Sequence, residues 1–156
     1  KAIMHYGYSL TNTNCYFLLM KTHTTNYQNT FIAVADDCPS AKGEIPTTKA
    51  GHKTVAGLQF DMISKHPYKY TSDEILFAVF ATRNDLTEQE LASARETFFA
   101  KGQACLRASA LGKRYGWGIH HNAEGKIALY GCNTPEYRNY LAQTGIKIVK
   151  AMQSKR

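Results

Sequence analysis

Long apolar runs are missing from this chain. The longest, Ile75–Ala81, falls far short of the ~20 residues that a membrane-spanning helix needs, so no membrane span is expected. Cysteines are few and scattered. Cys15, Cys38, Cys105 and Cys132 form no C-x-x-C pair, which removes zinc-finger and thioredoxin-type spacings. The apolar run at Cys15–Met20 is too short for the core of a secretory signal and lacks a small-residue cleavage site. The cysteines therefore read as reduced thiols, and the expected location is cytoplasmic. The chain also lacks a Gly-rich phosphate loop, a serine-nucleophile elbow, repeats and low-complexity tracts. Acids are outnumbered: 12 Asp and Glu against 19 Lys and Arg leave a formal charge of +7. That excess favours anionic partners in general and does not bear on the fold. At 156 residues, one core buries roughly 68–70% of the unfolded surface, so a single domain needs no staple.

What is present is most informative at Lys113-Arg-Tyr-Gly-Trp-Gly-Ile-His-His-Asn-Ala-Glu-Gly-Lys-Ile-Ala-Leu-Tyr-Gly131. Tyr115–His121 and Lys126–Tyr130 are rich in aromatic and β-branched residues, and Asn122–Gly125 is turn chemistry. The large apolar residues Trp117, Ile119, Ile127 and Leu129 are all odd-numbered. A three-residue loop, Ala123-Glu124-Gly125, pairs His121 with Ile127, Ile119 with Leu129 and Trp117 with Gly131, and puts that whole set on one face. Such a loop ends in a left-handed residue, and Gly125 stands there. The other face carries Gly116, Gly118, His120, Ala128, Tyr130 and Cys132. Glycines at alternate strand positions mark close approach by another backbone or by a ligand.

Elsewhere the elements alternate. Thr30–Ala35 reads as a strand, Asp36–Lys53 as a loop, and Thr54–Ser64 as a helix ended by His66-Pro67. Ser72 or Thr71 caps a second helix, with Glu74 three residues after Thr71 as a capping box, and Thr87 with Glu90 makes a second box for a further helix. That further helix runs to about Lys101, with Leu91, Ala94 and Phe98 inward and Gly102 as its stop. Cys105–Ser109 reads as a strand leading to the hairpin. Thr134 caps a helix that opens with Pro135, and Ile146–Val149 reads as a final strand. The expected fold class is α+β: a small, mainly antiparallel sheet with helices packed on one face.

The candidate chemistry is thin. His120 and His121 are adjacent on a strand, so their rings face opposite ways and cannot chelate one metal together; no metal or cofactor is implied. Cys38, in Asp36-Asp-Cys-Pro39, is a candidate nucleophile, but the flanking acids work against a thiolate, and a structural turn cysteine is the plainer reading. Arg107, Lys113 and Arg114 lie at the mouth of the hairpin and suit a phosphate or carboxylate, against the bland reading of a solvated basic turn. Trp117 and Tyr130 offer ring surfaces nearby, though the register puts them on opposite faces. The basic tail Lys147, Lys150, Lys155 and Arg156 suits phosphates of nucleic acid, or is only a frayed end.

Several of these segments carry a resemblance. Thr22-His-Thr-Thr-Asn-Tyr27, Asp37-Cys-Pro39, Lys42-Gly-Glu-Ile-Pro46, Pro67-Tyr-Lys-Tyr-Thr-Ser-Asp-Glu74, Lys113-Arg-Tyr-Gly-Trp-Gly118 and Gly125-Lys-Ile-Ala-Leu-Tyr-Gly131 resemble a family of small bacterial proteins known only as a domain of unknown function. The resemblance covers about Met20 to Arg156. It implies one compact domain over 20–156 and brings no activity, cofactor or catalytic residue. It also makes residues 1–19 read as an N-terminal extension, with a genuine edge strand at Asn14–Leu19 as the alternative. Two functions stay open. One is a module that binds an anionic ligand or partner through Arg107, Lys113, Arg114, Trp117 and Tyr130. The other is a small enzyme that uses His120 and Tyr130 as acid and base on the glycine-bearing face. A homodimer through the hairpin edge needs no ligand at all.

Overall fold

The computed structural model describes residues 21–154, so both expectations for the N-terminal segment, extension or edge strand, lie outside the described residues. Strand β1 (Thr30–Ala33) is buried along its whole length. The loop after it is interrupted by a short pair, β2 (Thr48–Lys49) and β3 (His52–Lys53). Helix α1 (Val55–Lys65) starts where the Thr54 hydroxyl accepts the Gly57 N–H and stops at His66, before Pro67. Helix α2 (Ser72–Arg83) has both halves of its capping box: Thr71 Oγ1 accepts the Glu74 N–H, and the Glu74 carboxylate accepts the Thr71 N–H. The Thr87–Glu90 box opens a 3₁₀ turn at Glu88–Glu90, which leads into α3 (Leu91–Phe99). That helix ends sooner than expected, and its most buried aromatic is Phe99 rather than Phe98.

The expected strand at Cys105–Ser109 is not there. Leu106–Ala108 is a 3₁₀ turn, and Ser109 caps a one-turn helix, α4 (Ala110–Lys113), by accepting the Leu111 N–H at 3.2 Å. A serine followed by small helix-tolerant residues is a cap, and the buried Ser109 hydroxyl also donates to Gln59 Oε1 at 2.6 Å. The chain then forms β4 (Trp117–His121), β5 (Ile127–Gly131), α5 (Pro135–Ala142, capped by Thr134) and β6 (Lys147–Lys150).

The hairpin register is the expected one: His121 with Ile127, Ile119 with Leu129, and Trp117 with Gly131. Gly125 has φ +75°, the left-handed value the three-residue loop requires. The four long strands lie in the order β5-β4-β1-β6, antiparallel except for the parallel pair β1–β6. The class is α+β.

Two clusters hold the sheet. On one face Ile32, Ile119 and Ile127 pack with Ala56 and Ile63 of α1, Ile75 of α2 and Leu111 of α4. On the other face Phe31 and Ala33 pack under Tyr137 of α5. The helices thus sit mainly on one face, with α5 added on the other. At Gly118 it is α5 and β1 that fill the space, while Gly116 faces the Lys42 backbone. A Cβ on Gly118 would lie 2.5 Å from Phe31 Cζ and 2.6 Å from Tyr137 Cε2. The close approach is therefore made by the protein itself, by aromatic side chains at Gly118 and by loop backbone at Gly116.

Candidate functional site

Pro67 disfavours helix at His66, so the chain leaves α1 and turns at Tyr68. Tyr68 sits at φ +57°, a left-handed conformation uncommon for a residue with a Cβ. Paired backbone groups hold it there. The Tyr68 N–H donates to the Ile127 carbonyl at 2.8 Å, and the Ile127 N–H donates to the Tyr70 carbonyl at 2.9 Å. The segment thereby adds itself to the outer edge of β5, and Thr71 bridges Lys126. Lys126 fastens it further by donating to the Lys69 carbonyl at 3.1 Å. Part of the hairpin edge that a dimer would use is thus already occupied.

This turn aims the Tyr68 ring at the glycine-bearing face. Its hydroxyl lies 2.8 Å from His120 Nδ1, 2.8 Å from the Tyr130 hydroxyl and 3.2 Å from the Tyr140 hydroxyl. Tyr140, on α5, also donates to Tyr130 at 3.4 Å, and its ring stacks on His120 with centroids 4.3 Å apart. The four residues are half-buried, so the cluster reaches solvent. It contains no acid and no formal cation at neutral pH.

The electrostatics follow from burial. Removal from water holds His120 below its ordinary value, so the imidazole is neutral at pH 7. Burial first, then the hydrogen bonds with Tyr130 and Tyr140, push the Tyr68 phenol well above its ordinary value. Burial and the Tyr140 contact raise Tyr130, while the bond with Tyr68 partly opposes them. A phenol carries one proton and two acceptor sites. Tyr68 can therefore donate to His120 and accept from Tyr130, while the one proton of Tyr140 goes to Tyr130. If His120 gains a proton on Nδ1, the chain reverses: Tyr68 accepts from the imidazolium and donates to Tyr130. The arrangement is a hydrogen-bonded chain whose outer ends are an imidazole and two phenols.

His120 and Tyr130 are thus brought together, and the link between them is Tyr68, which pattern did not single out. The other expected residues go elsewhere. Arg107 fastens the end of β6: its Nε donates to the Lys150 carbonyl, and its own carbonyl accepts the Met152 N–H, both at 2.8 Å. Lys113 and Arg114 end α4. Trp117 lies on the opposite face from Tyr130, packed on Phe60 and donating from Nε1 to the Glu44 carbonyl at 2.7 Å. Cys38 lies in the loop after β1, near Cys132. His121, back to back with His120, is fully buried against Tyr27.

A surface groove of about 620 Å³ lies between α2 and α3 and is lined by Phe80, Leu86, Ala94 and Phe98 among others. It shares no residue with the hydrogen-bonded cluster. Among the described residues no three His, Cys, Asp or Glu side chains converge as metal ligands, and no helix is long and apolar enough to cross a membrane.

A family model spans nearly all of the fold, matching residues 22–156. The chain belongs to DUF6157, a family of unknown function. No curated protein and no solved structure matches it. The matched DUF6157 span contains Tyr68, His120, Tyr130 and Tyr140 together.

Proposed function

We propose that this DUF6157 domain works through the Tyr68–His120–Tyr130–Tyr140 cluster. It would bind a small polar molecule bearing a carbonyl or carboxylate and exchange a proton with it. Neutral His120 is the proton acceptor, and the phenols are the donors that meet the ligand oxygen. One observation carries the proposal: a hydroxyl 2.8 Å from both an imidazole nitrogen and a second phenol, delivered by a residue at φ +57°. Strained backbone that the surrounding structure holds in place clusters at functional sites. An anion site at the hairpin mouth finds less support, because Trp117 and Tyr130 face opposite ways and Arg107 is engaged with β6.

The test is a panel of small carbonyl and carboxylate compounds, followed by ligand-observed NMR and by uptake of solvent deuterium at carbon. Tyr68→Phe and His120→Gln are the comparison proteins. The expected result is a ligand that either substitution weakens at least tenfold, a step of ~1.4 kcal/mol. If no compound binds better than millimolar, or if a bound compound ignores both substitutions, the proposal fails.

A further inference from the structure

The loop between β1 and β2 lies across the open end of the hairpin. The Lys42 carbonyl oxygen sits 2.1 Å from where a Cβ on Gly116 would be, and the Gly43 N–H donates to Asn133 Oδ1 at 3.3 Å. Between loop and sheet are two thiols. Cys38 Sγ donates to the Ser40 carbonyl at 3.8 Å, and Cys132 Sγ donates to the same carbonyl at 3.9 Å. Two sulfurs from positions far apart in sequence thus flank a single oxygen. Both residues are half-buried, and their neighbours Asp36, Asp37, Pro39 and Ala41 are exposed, so a small reagent can reach the pair. The acids beside Cys38 are already engaged, Asp36 with Lys150 and Asp37 with the Ser154 N–H. Burial first, then the neighbouring Cys38, holds the Cys132 thiol above its ordinary value, which disfavours Cys132 as the attacking thiolate.

We propose that Cys38 and Cys132 form a redox-active dithiol that closes to an intramolecular disulfide when it meets a low-molecular-weight disulfide such as oxidised glutathione. Cys38, as thiolate, attacks one sulfur of the oxidised glutathione, breaks its S–S bond and expels one glutathione thiolate. Cys132 then loses its proton to solvent and attacks the Cys38 sulfur of the mixed disulfide, expelling the second glutathione thiolate. The protein gives up two protons and two electrons, and one oxidised glutathione becomes two reduced ones. The bridge would staple the loop over Gly116 to the end of β5. None of these residues belongs to the tyrosine cluster.

The experiment treats the full folded chain with excess oxidised glutathione, checks near-UV circular dichroism, alkylates and maps the peptides by mass. The expected product has lost two hydrogens, carries a Cys38–Cys132 crosslink and leaves Cys105 alkylated. Cys132→Ser should stop at a glutathione adduct on Cys38, and Cys38→Ser should leave Cys132 largely unmodified. The proposal is overturned if the folded wild-type chain yields only adducts, if it links other cysteines, or if the bridge appears only after unfolding in urea.

Discussion

His121 should make the protein acid-labile, by an amount that its surroundings set. It is 0% exposed, its ring meets Tyr27 edge-on at 5.4 Å, and neither ring nitrogen has a hydrogen-bond partner. The backbones of Thr30 and Ile119 run close enough to ease the burial penalty without cancelling it, and the pKa is held down to about 4 from an ordinary 6.5. The native state therefore refuses a proton that the unfolded chain accepts. Stability from this group is complete above pH 6.5, falls as the pH drops below it, and is spent near pH 4. At 1.36 kcal/mol per pKa unit the loss is about 3 kcal/mol, a large fraction of the ~5–15 kcal/mol that holds a domain together. His121→Leu removes the titration. At pH 7 it trades an aromatic contact worth ~0.5–1.5 kcal/mol for relief of two unpaired nitrogens, so the two proteins should start close to equal. Urea unfolding at pH steps from 7.5 to 4 should then show the variant gaining on the wild type by about 3 kcal/mol. Parallel pH curves for the two proteins would refute the reasoning. So would a folded-state His121 resonance that titrates near 6.5.

Three further outcomes are expected. Gly116→Ala and Gly51→Ala both place a Cβ at left-handed φ, +72° and +76°, but only at Gly116 does that Cβ meet backbone, 2.1 Å from the Lys42 oxygen. Gly51→Ala should cost ~1–2 kcal/mol in urea unfolding and Gly116→Ala clearly more, and equal costs would mean that the loop gives way freely. Asp73→Ala should cost about 3 kcal/mol or more, because its carboxylate accepts from Thr24 Oγ1, Thr25 N–H and Thr25 Oγ1, each at 2.7 Å; a change below ~1 kcal/mol would show that residues 24–25 are not tied to α2. In proton NMR, His120 should titrate below 6.5 in the folded protein, since burial disfavours its charged form, and a value at or above 6.5 would contradict the site.

Local signals were legible in the sequence. The hairpin register followed from the parity of Trp117, Ile119, Ile127 and Leu129 and from a glycine at the loop end, both read within a short window. The capping boxes at Thr71 and Thr87 were legible for the same reason. Cys105–Ser109 misled because its apolar alternation resembles a strand, whereas the decisive residue was the capping Ser109. Half of the candidate site was legible: His120 and Tyr130 share a face by strand alternation alone. Tyr68 and Tyr140 were not, because they reach the cluster from across the chain. Tyr68 to His120 spans 52 positions, and a left-handed tyrosine carries no glycine or asparagine to announce it.

The segments that carried the family resemblance prove to be partners in space. Thr24, Thr25 and Asn26 bond to Ser72 and Asp73 at the start of α2. The Glu44 N–H donates to the Tyr115 carbonyl at 2.8 Å, Trp117 donates back to the Glu44 carbonyl, and a Cβ on Gly43 would strike the Trp117 ring at 2.8 Å. Those contacts make these motif residues fold-holding groups, which leaves little need for chemistry at them. Tyr68 is different. Its backbone N–H joins β5, a structural task that any residue able to hold the turn performs, while its hydroxyl bonds only to other side chains of the cluster. Tyr68→Phe separates the two tasks. It keeps the ring and the turn, and loses a set of bonds whose net worth to folding is ~0.5–1.5 kcal/mol apiece and is offset by burying less polar surface. Stability should therefore shift by no more than a couple of kcal/mol, while the hydrogen-bonded link between His120 and Tyr130 is cut entirely. A Tyr68→Phe chain that unfolds would place this tyrosine with the other motif residues. One that stays folded, and whose His120 resonance no longer responds to the cluster, would show that the hydroxyl serves the site and not the fold.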